Sequence, residues 1–133
     1  MDKNILKIAL DTKKNSFLEK HTHSYKLKNS TCGDFINVYL IIRKQKIKNF
    51  KFLGEFCIYC QASANLLSKL IINKQNNKTE HLLKIIINKS SNFNKLEDNN
   101  WREFVKILNK TNVARKECFL LPIKATLKAL ENK

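Results

Sequence analysis

Between residues 35 and 72 the hydrophobic period changes from two to nearly four, and this switch restricts the fold more than any other feature. Ile36, Val38, Leu40 and Ile42 alternate with Asn37 and Tyr39, which predicts a strand over 35–43 with one buried face. Lys44-Gln45-Lys46 supplies a turn, and residues 47–53 a second strand carrying Lys48 and Lys51, so the pair forms a hairpin. After Gly54 the period lengthens. Ile58, Ala62, Leu66 and Leu70 fall four apart, with Leu67 and Ile71 beside them, predicting a helix over 57–72 with an apolar stripe.

The flanking segments are shorter and more polar. Residues 4–11 read as a short helix, and a polar stretch, 12–31, precedes the first strand. Helices are expected over 79–88, 101–109 and 120–130, with a polar break at 88–100. Pro122 would then sit near the start of the last helix, where the N–H groups have no intrahelical partner to lose. Strands first and helices after is the pattern of an α+β domain, a small antiparallel sheet with helices packed on one face. Residues 1–133 are expected to form that one domain, long enough to bury a core without disulfides. The longest apolar runs are far short of a membrane span, and no cleavable leader is visible, so the expected location is cytoplasmic.

The formal net charge is +15, yet it is evenly spread, +8 over residues 1–53 and +7 over 54–133. Lysine supplies 23 of the 26 cations and arginine 3, so the forks that read bases and phosphates are nearly absent. Lysine, 17 asparagines and 14 isoleucines share AT-rich codons, which explains the excess without a nucleic-acid partner. The charge chiefly predicts solubility.

Four cysteines lie in three places: Cys32, Cys57 with Cys60, and Cys118. In a cytosolic chain they point to metal or thiol chemistry sooner than to disulfides, although buried inert thiols are common. Both glycines of the chain, Gly33 and Gly54, lie in cysteine segments, so the thiols fall where loops meet elements. Cys57 and Cys118 are expected to precede helices, at the positive end of the dipole, which favours a thiolate. Asp34 adds an oxygen two residues after Cys32. Three thiolates and one carboxylate suit tetrahedral zinc or iron; core cysteines beside a solvated aspartate suit the same spacing. Cys57 and Cys60 also form a Cys-x-x-Cys pair, the arrangement of a thiol–disulfide redox protein, although no βαβ unit precedes it. His21 and His23 lie ahead of Cys32, either solvated or close to the site. No phosphate-cradling glycine loop, Ser/His/Asp set or paired carboxylates are evident.

Three segments carry a resemblance: Cys32-Gly33-Asp34, then residues 54–64 with Cys57-Ile58-Tyr59-Cys60-Gln61-Ala62-Ser63, then Arg115-Lys116-Glu117-Cys118. In order and context they resemble the signature segments of the iron–sulfur cluster assembly scaffold family of the IscU, SufU and NifU N-terminal type. The separation of 61 residues between Cys57 and Cys118, and Arg115 three before Cys118, resemble the SufU branch. The histidine and the Leu-Pro-Pro-Val-Lys of the IscU branch are replaced by Glu117 and by Asn112-Val113-Ala114-Arg115. Asn29-Ser30 stands where Asn-Pro is usual, Phe56 where glycine is frequent, and Cys60 is additional.

The resemblance implies Cys32, Asp34, Cys57 and Cys118 as ligands meeting at one end of the domain, with Arg115 in support. It implies zinc or iron, or a transient [2Fe–2S] cluster, as what they hold. It also implies a cysteine desulfurase as sulfur donor and apo iron–sulfur proteins as recipients, a scaffold or sulfur-acceptor role short of ordinary enzyme turnover. Cys32, freed by Gly33, is the expected persulfide acceptor, with Cys118 the runner-up.

Overall fold

The computed structural model describes residues 7–10, 14, 16–29, 33–88 and 113–131. Its sheet has three antiparallel strands in the order β1 (His23–Lys28), β2 (Phe35–Arg43), β3 (Lys46–Glu55). The alternation in β2 does what the sequence predicts: Ile36, Val38 and Leu40 are buried, and the register sets Val38 between Tyr25 and Phe52. Phe50 and Phe52 fill the same face from β3, with ring centroids 5.9 Å apart. Removing either ring would cost about 3–5 kcal/mol.

Strand β1 is a departure, because the sequence reads as a polar stretch there. Only Tyr25 and Leu27 pack against the core, while Lys26 and Lys28 face outward, so an edge strand this short shows little alternation. What defines it is pairing with β2, continued by the Thr22 N–H, which donates to the Leu40 carbonyl at 2.8 Å.

The β2–β3 turn places Lys44 and Gln45 at φ 51° and 64°, the left-handed pair that a two-residue hairpin requires. Neither residue favours it. Tertiary hydrogen bonds hold the tip: Asn73 N–H to Ile47 O at 2.7 Å, Ile47 N–H to Lys74 O at 2.9 Å, and Asn76 N–H to Gln45 O at 2.9 Å.

Helix α1 (Ile58–Ile71) follows the expected stripe, but its polar flank is buried too. Asn65 donates from Nδ2 to the Ile8 carbonyl at 2.7 Å and accepts from Gln61 Nε2 at 3.3 Å, so residues 7–9, themselves helical, cover that flank. Helix α2 (Asn76–Asn88) begins three residues before the expected start, and buries Leu83 and Ile86.

Helix α3 (Val113–Glu131) begins seven residues before the expected 120, and this overturns two expectations. Pro122 stands in the helix interior and offers no N–H to the carbonyl of Cys118, a cost of about 3 kcal/mol in an isolated helix. Burial of Phe119, Leu120, Leu121, Ile123 and Ala125 around it holds the helix together regardless. Cys118 consequently lies inside α3 and not before its first turn. Helix α3 packs against α1, α2, β1 and β2, giving the small antiparallel sheet with helices on one face that was expected. The polar break over 89–100 and the expected helix over 101–109 lie outside the described residues. Among the described residues no helix is long and apolar enough to cross a membrane.

Candidate metal centre

Three separate elements deliver the site. The connection from β1 to β2 is closed at its base, where the Asn29 N–H donates to Asp34 O at 2.7 Å and the Gly33 N–H donates to Asn29 O at 2.9 Å. Gly33 has φ +78°, a left-handed conformation that glycine adopts without strain. Asp34 emerges from this loop one residue before β2.

Cys57 is the N-cap of α1. Its backbone N–H donates to Asp34 Oδ2 at 3.1 Å, which ties the start of α1 to the β1–β2 connection. The approach to Cys57 along β3 depends on Gly54, where an added Cβ would run into the Phe35 carbonyl and stand 2.9 Å from Ile36 Cα. Cys118, only 3% exposed, reaches the same point from within α3.

One carboxylate oxygen of Asp34 and the sulfurs of Cys57 and Cys118 all lie within 4.8 Å of one another. Sulfurs around a tetrahedral zinc with bonds of ~2.3 Å stand about 3.8 Å apart, so small side-chain rotations bring this group to coordination distance. Fully ionised, the group would concentrate three negative charges in a partly desolvated corner, and a cation is what offsets them. The donor set therefore fits a thiophilic metal ion.

The remaining expected residues fall as follows. Cys32 lies outside the described residues, and Arg115 outside those whose side chains are described. Cys60 is fully buried in the core and does not belong to the group. His21 and His23 do not approach it. His23 pairs with Leu40, five residues along β2 from Phe35 and so about 17 Å from the site end of the strand. His21 packs on Tyr39 at 5.3 Å between centroids and bonds the Leu18 carbonyl through Nδ1 at 2.8 Å.

The sequence reading missed an open cleft of ≈ 310 Å³ beside Cys57, lined by Ala9, Leu10, Phe56, Cys57, Ile58 and Gln61. Leu10 at its rim is 71% exposed. No local pattern signals this cleft, because residues 9 and 56 meet only through the packing of residues 7–9 on α1.

A family model described as the NifU-like N terminal domain matches residues 2–98 of the chain. An uncharacterised protein of Borreliella burgdorferi is 36% identical over 126 residues, covering 94% of this chain and 86% of that protein. The iron–sulfur cluster assembly scaffold protein IscU of Thermotoga maritima is 32% identical over 109 residues, covering 78% of this chain and 73% of its own. Among solved structures, FiSufU of Fervidobacterium islandicum AW-1, a candidate iron–sulfur cluster assembly scaffold protein for the SUF system, superposes with a TM-score of 0.79. Identity is 25%, over 98% of this chain and 96% of that one. The N-terminal part of a NifU-like protein from Brucella abortus shares the fold at a TM-score of 0.77 and 17% identity, over 98% and 91% of the two chains.

Proposed function

We propose a sulfur-accepting, iron-holding role for this protein, on the premise that the chain belongs to the NifU-like N-terminal domain family, the iron–sulfur cluster assembly scaffolds. The observation that carries the proposal is the convergence of Asp34, Cys57 and Cys118 within 4.8 Å from three different elements. Asp34 also anchors the Cys57 N–H, but two thiols gathered beside that carboxylate are a donor set suited to a thiophilic cation.

In this reading Cys32, Asp34, Cys57 and Cys118 hold the metal that is the protein's cargo, iron or zinc, or a nascent [2Fe–2S] cluster. Cys32, next to the conformationally free Gly33, takes sulfur as a persulfide from a cysteine desulfurase, and Cys118 is its runner-up. Asp34 is the harder and more exchangeable ligand among thiolates, so it is the group that leaves when cargo passes to an apo recipient. The SufU-like spacing of Cys57 and Cys118 and the superposition on FiSufU support the SufU branch. Cytoplasmic work on soluble partners accords with the even charge.

Metal analysis of anaerobically purified protein tests the proposal. Wild type is expected to carry stoichiometric iron or zinc, and Cys57→Ser and Cys118→Ser to lose it. Retention by both variants would remove the site.

A further inference from the structure

Cys60 is the one described thiol that metal holding leaves unused. It sits at the third helical position of α1, three residues after the N-cap Cys57, and is 0% exposed. An N-cap side chain folds back over the second and third helical positions, and no side-chain cap hydrogen bond engages Cys57 in that role. Helical residues three apart have Cβ atoms about 5–6 Å from each other, and a disulfide needs about 3.5–4.5 Å. The Cys57 carbonyl accepts the Gln61 N–H at 3.1 Å and its N–H is held by Asp34, so closing that difference falls to the Cys57 side chain.

The Cys57 sulfur lies within 4.8 Å of Asp34 and Cys118, the residue lines the open cleft, and Cys60 stands three positions along the helix from it. Cys60 is shielded from solvent, whereas Cys57 is partly exposed. A persulfide delivers sulfur at the oxidation level of the element, whereas an iron–sulfur cluster contains sulfide, so two electrons must be supplied at the site. We infer that Cys60 is the resolving thiol for a persulfide carried on Cys57. This inference rests on the sulfur-accepting role proposed above and adds Cys57 to Cys32 and Cys118 as a carrier of the persulfide.

The step balances without an outside reductant. The Cys60 sulfur attacks the inner sulfur of Cys57–S–SH, the Cys57–Cys60 disulfide forms, and the bond to the outer sulfur breaks. That sulfur leaves as hydrosulfide and takes up the Cys60 proton, giving hydrogen sulfide. Two thiol sulfurs are oxidised and one persulfide sulfur is reduced. The Cys118 sulfur is close enough to compete, but a Cys57–Cys118 disulfide would take two thiolates from the ligand set where a Cys57–Cys60 disulfide takes one. A dithiol reductant then restores the pair by exchange at Cys57, the member that opens on the cleft.

The test uses the full chain, reduced and metal-free, under anaerobic conditions with cysteine persulfide as probe. Wild type is expected to release stoichiometric sulfide and to yield a Cys57–Cys60 disulfide by peptide mass spectrometry. Cys60→Ala and Cys60→Ser should instead keep one added sulfur on Cys57 and release sulfide about tenfold more slowly. Metal uptake by these variants reports that they fold. Sulfide release at the wild-type rate, or a wild-type disulfide joining Cys57 to Cys118, overturns the inference while leaving the scaffold role standing. The disulfide position is read on wild type alone, so it decides the matter even if both variants misfold. A wild type that neither accepts the sulfur nor binds metal overturns the scaffold role and the inference together.

Discussion

The Asp34 carboxylate accepts the backbone N–H of Cys57 at 3.1 Å while standing within 4.8 Å of the Cys57 and Cys118 sulfurs. One side chain thus anchors the start of α1 and supplies an oxygen to the candidate metal centre. The two roles pull in opposite directions when Asp34 is removed. As the proposed exchangeable ligand it would limit how long cargo is held; as a hydrogen-bond acceptor it keeps Cys57 in place.

Asp34→Ala and Asp34→Asn separate these roles. If exchange governs, Asp34→Ala releases metal to a chelator more slowly than wild type, because the three thiolates of Cys32, Cys57 and Cys118 remain. The lost hydrogen bond costs about 1 kcal/mol of stability in this half-exposed setting. Asp34→Asn keeps an acceptor for the Cys57 N–H and should recover that stability while still releasing metal slowly. Chelator kinetics and urea midpoints read the two effects. Faster release from both variants would make Asp34 a positioning residue for Cys57 instead.

Gly54→Ala tests whether the strand that leads into Cys57 tolerates any side chain. The new Cβ meets backbone, the Phe35 carbonyl and Ile36 Cα, and backbone in a paired strand cannot swing aside like a flexible side chain. Overpacking of this kind costs about 1–3 kcal/mol. The register at Ile36–Gly54 would open three residues before Cys57, so metal stoichiometry should fall together with the urea midpoint. A variant as stable as wild type with full metal would show that β3 yields without cost.

How much of this was legible in the sequence depends on where each signal resides. Strands β2 and β3 and helix α1 announce themselves because one face of each is packed, and burial writes its period into the residues. Strand β1 does not, since an edge strand with Lys26 and Lys28 outward shows only Tyr25 and Leu27 of its inner face. The start of α3 misleads for a specific reason: Pro122 matches a first-turn proline, and only tertiary burial on both sides keeps it inside a helix. At the site, Asp34, Cys57 and Cys118 are visible as residue types at suggestive spacings. The bond from the Cys57 N–H to Asp34 and the cleft under Leu10 are not, because each joins segments whose meeting is decided by packing.

Lowering pH should weaken metal binding. A metal displaces protons from the thiols it captures, so affinity falls by up to about tenfold per pH unit for each thiol protonated in the metal-free protein. With Cys57 and Cys118 both engaged, a competition titration with zinc should show a steeper pH dependence in wild type than in Cys118→Ser. Equal slopes would mean that Cys118 does not ligate.

Pro122→Ala weighs a helix defect against a packing contact. Restoring the N–H at position 122 removes the penalty of an interior proline, about 3 kcal/mol in an isolated helix. Against it stand the buried ring, whose lost methylenes cost about 0.8 kcal/mol each, and the greater freedom of an unfolded chain without proline, about 0.4–1 kcal/mol. The balance favours the variant by about 0.4–1 kcal/mol, read as a higher urea midpoint with unchanged slope. Cys118 sits one turn before the proline, so any straightening of α3 shifts its sulfur relative to Cys57 and Asp34. The expected result is a protein more stable without metal that holds zinc less tightly. If zinc affinity is unchanged while stability rises, the proline does not set the position of Cys118, and the helix tolerates it only because the core surrounding it is well packed.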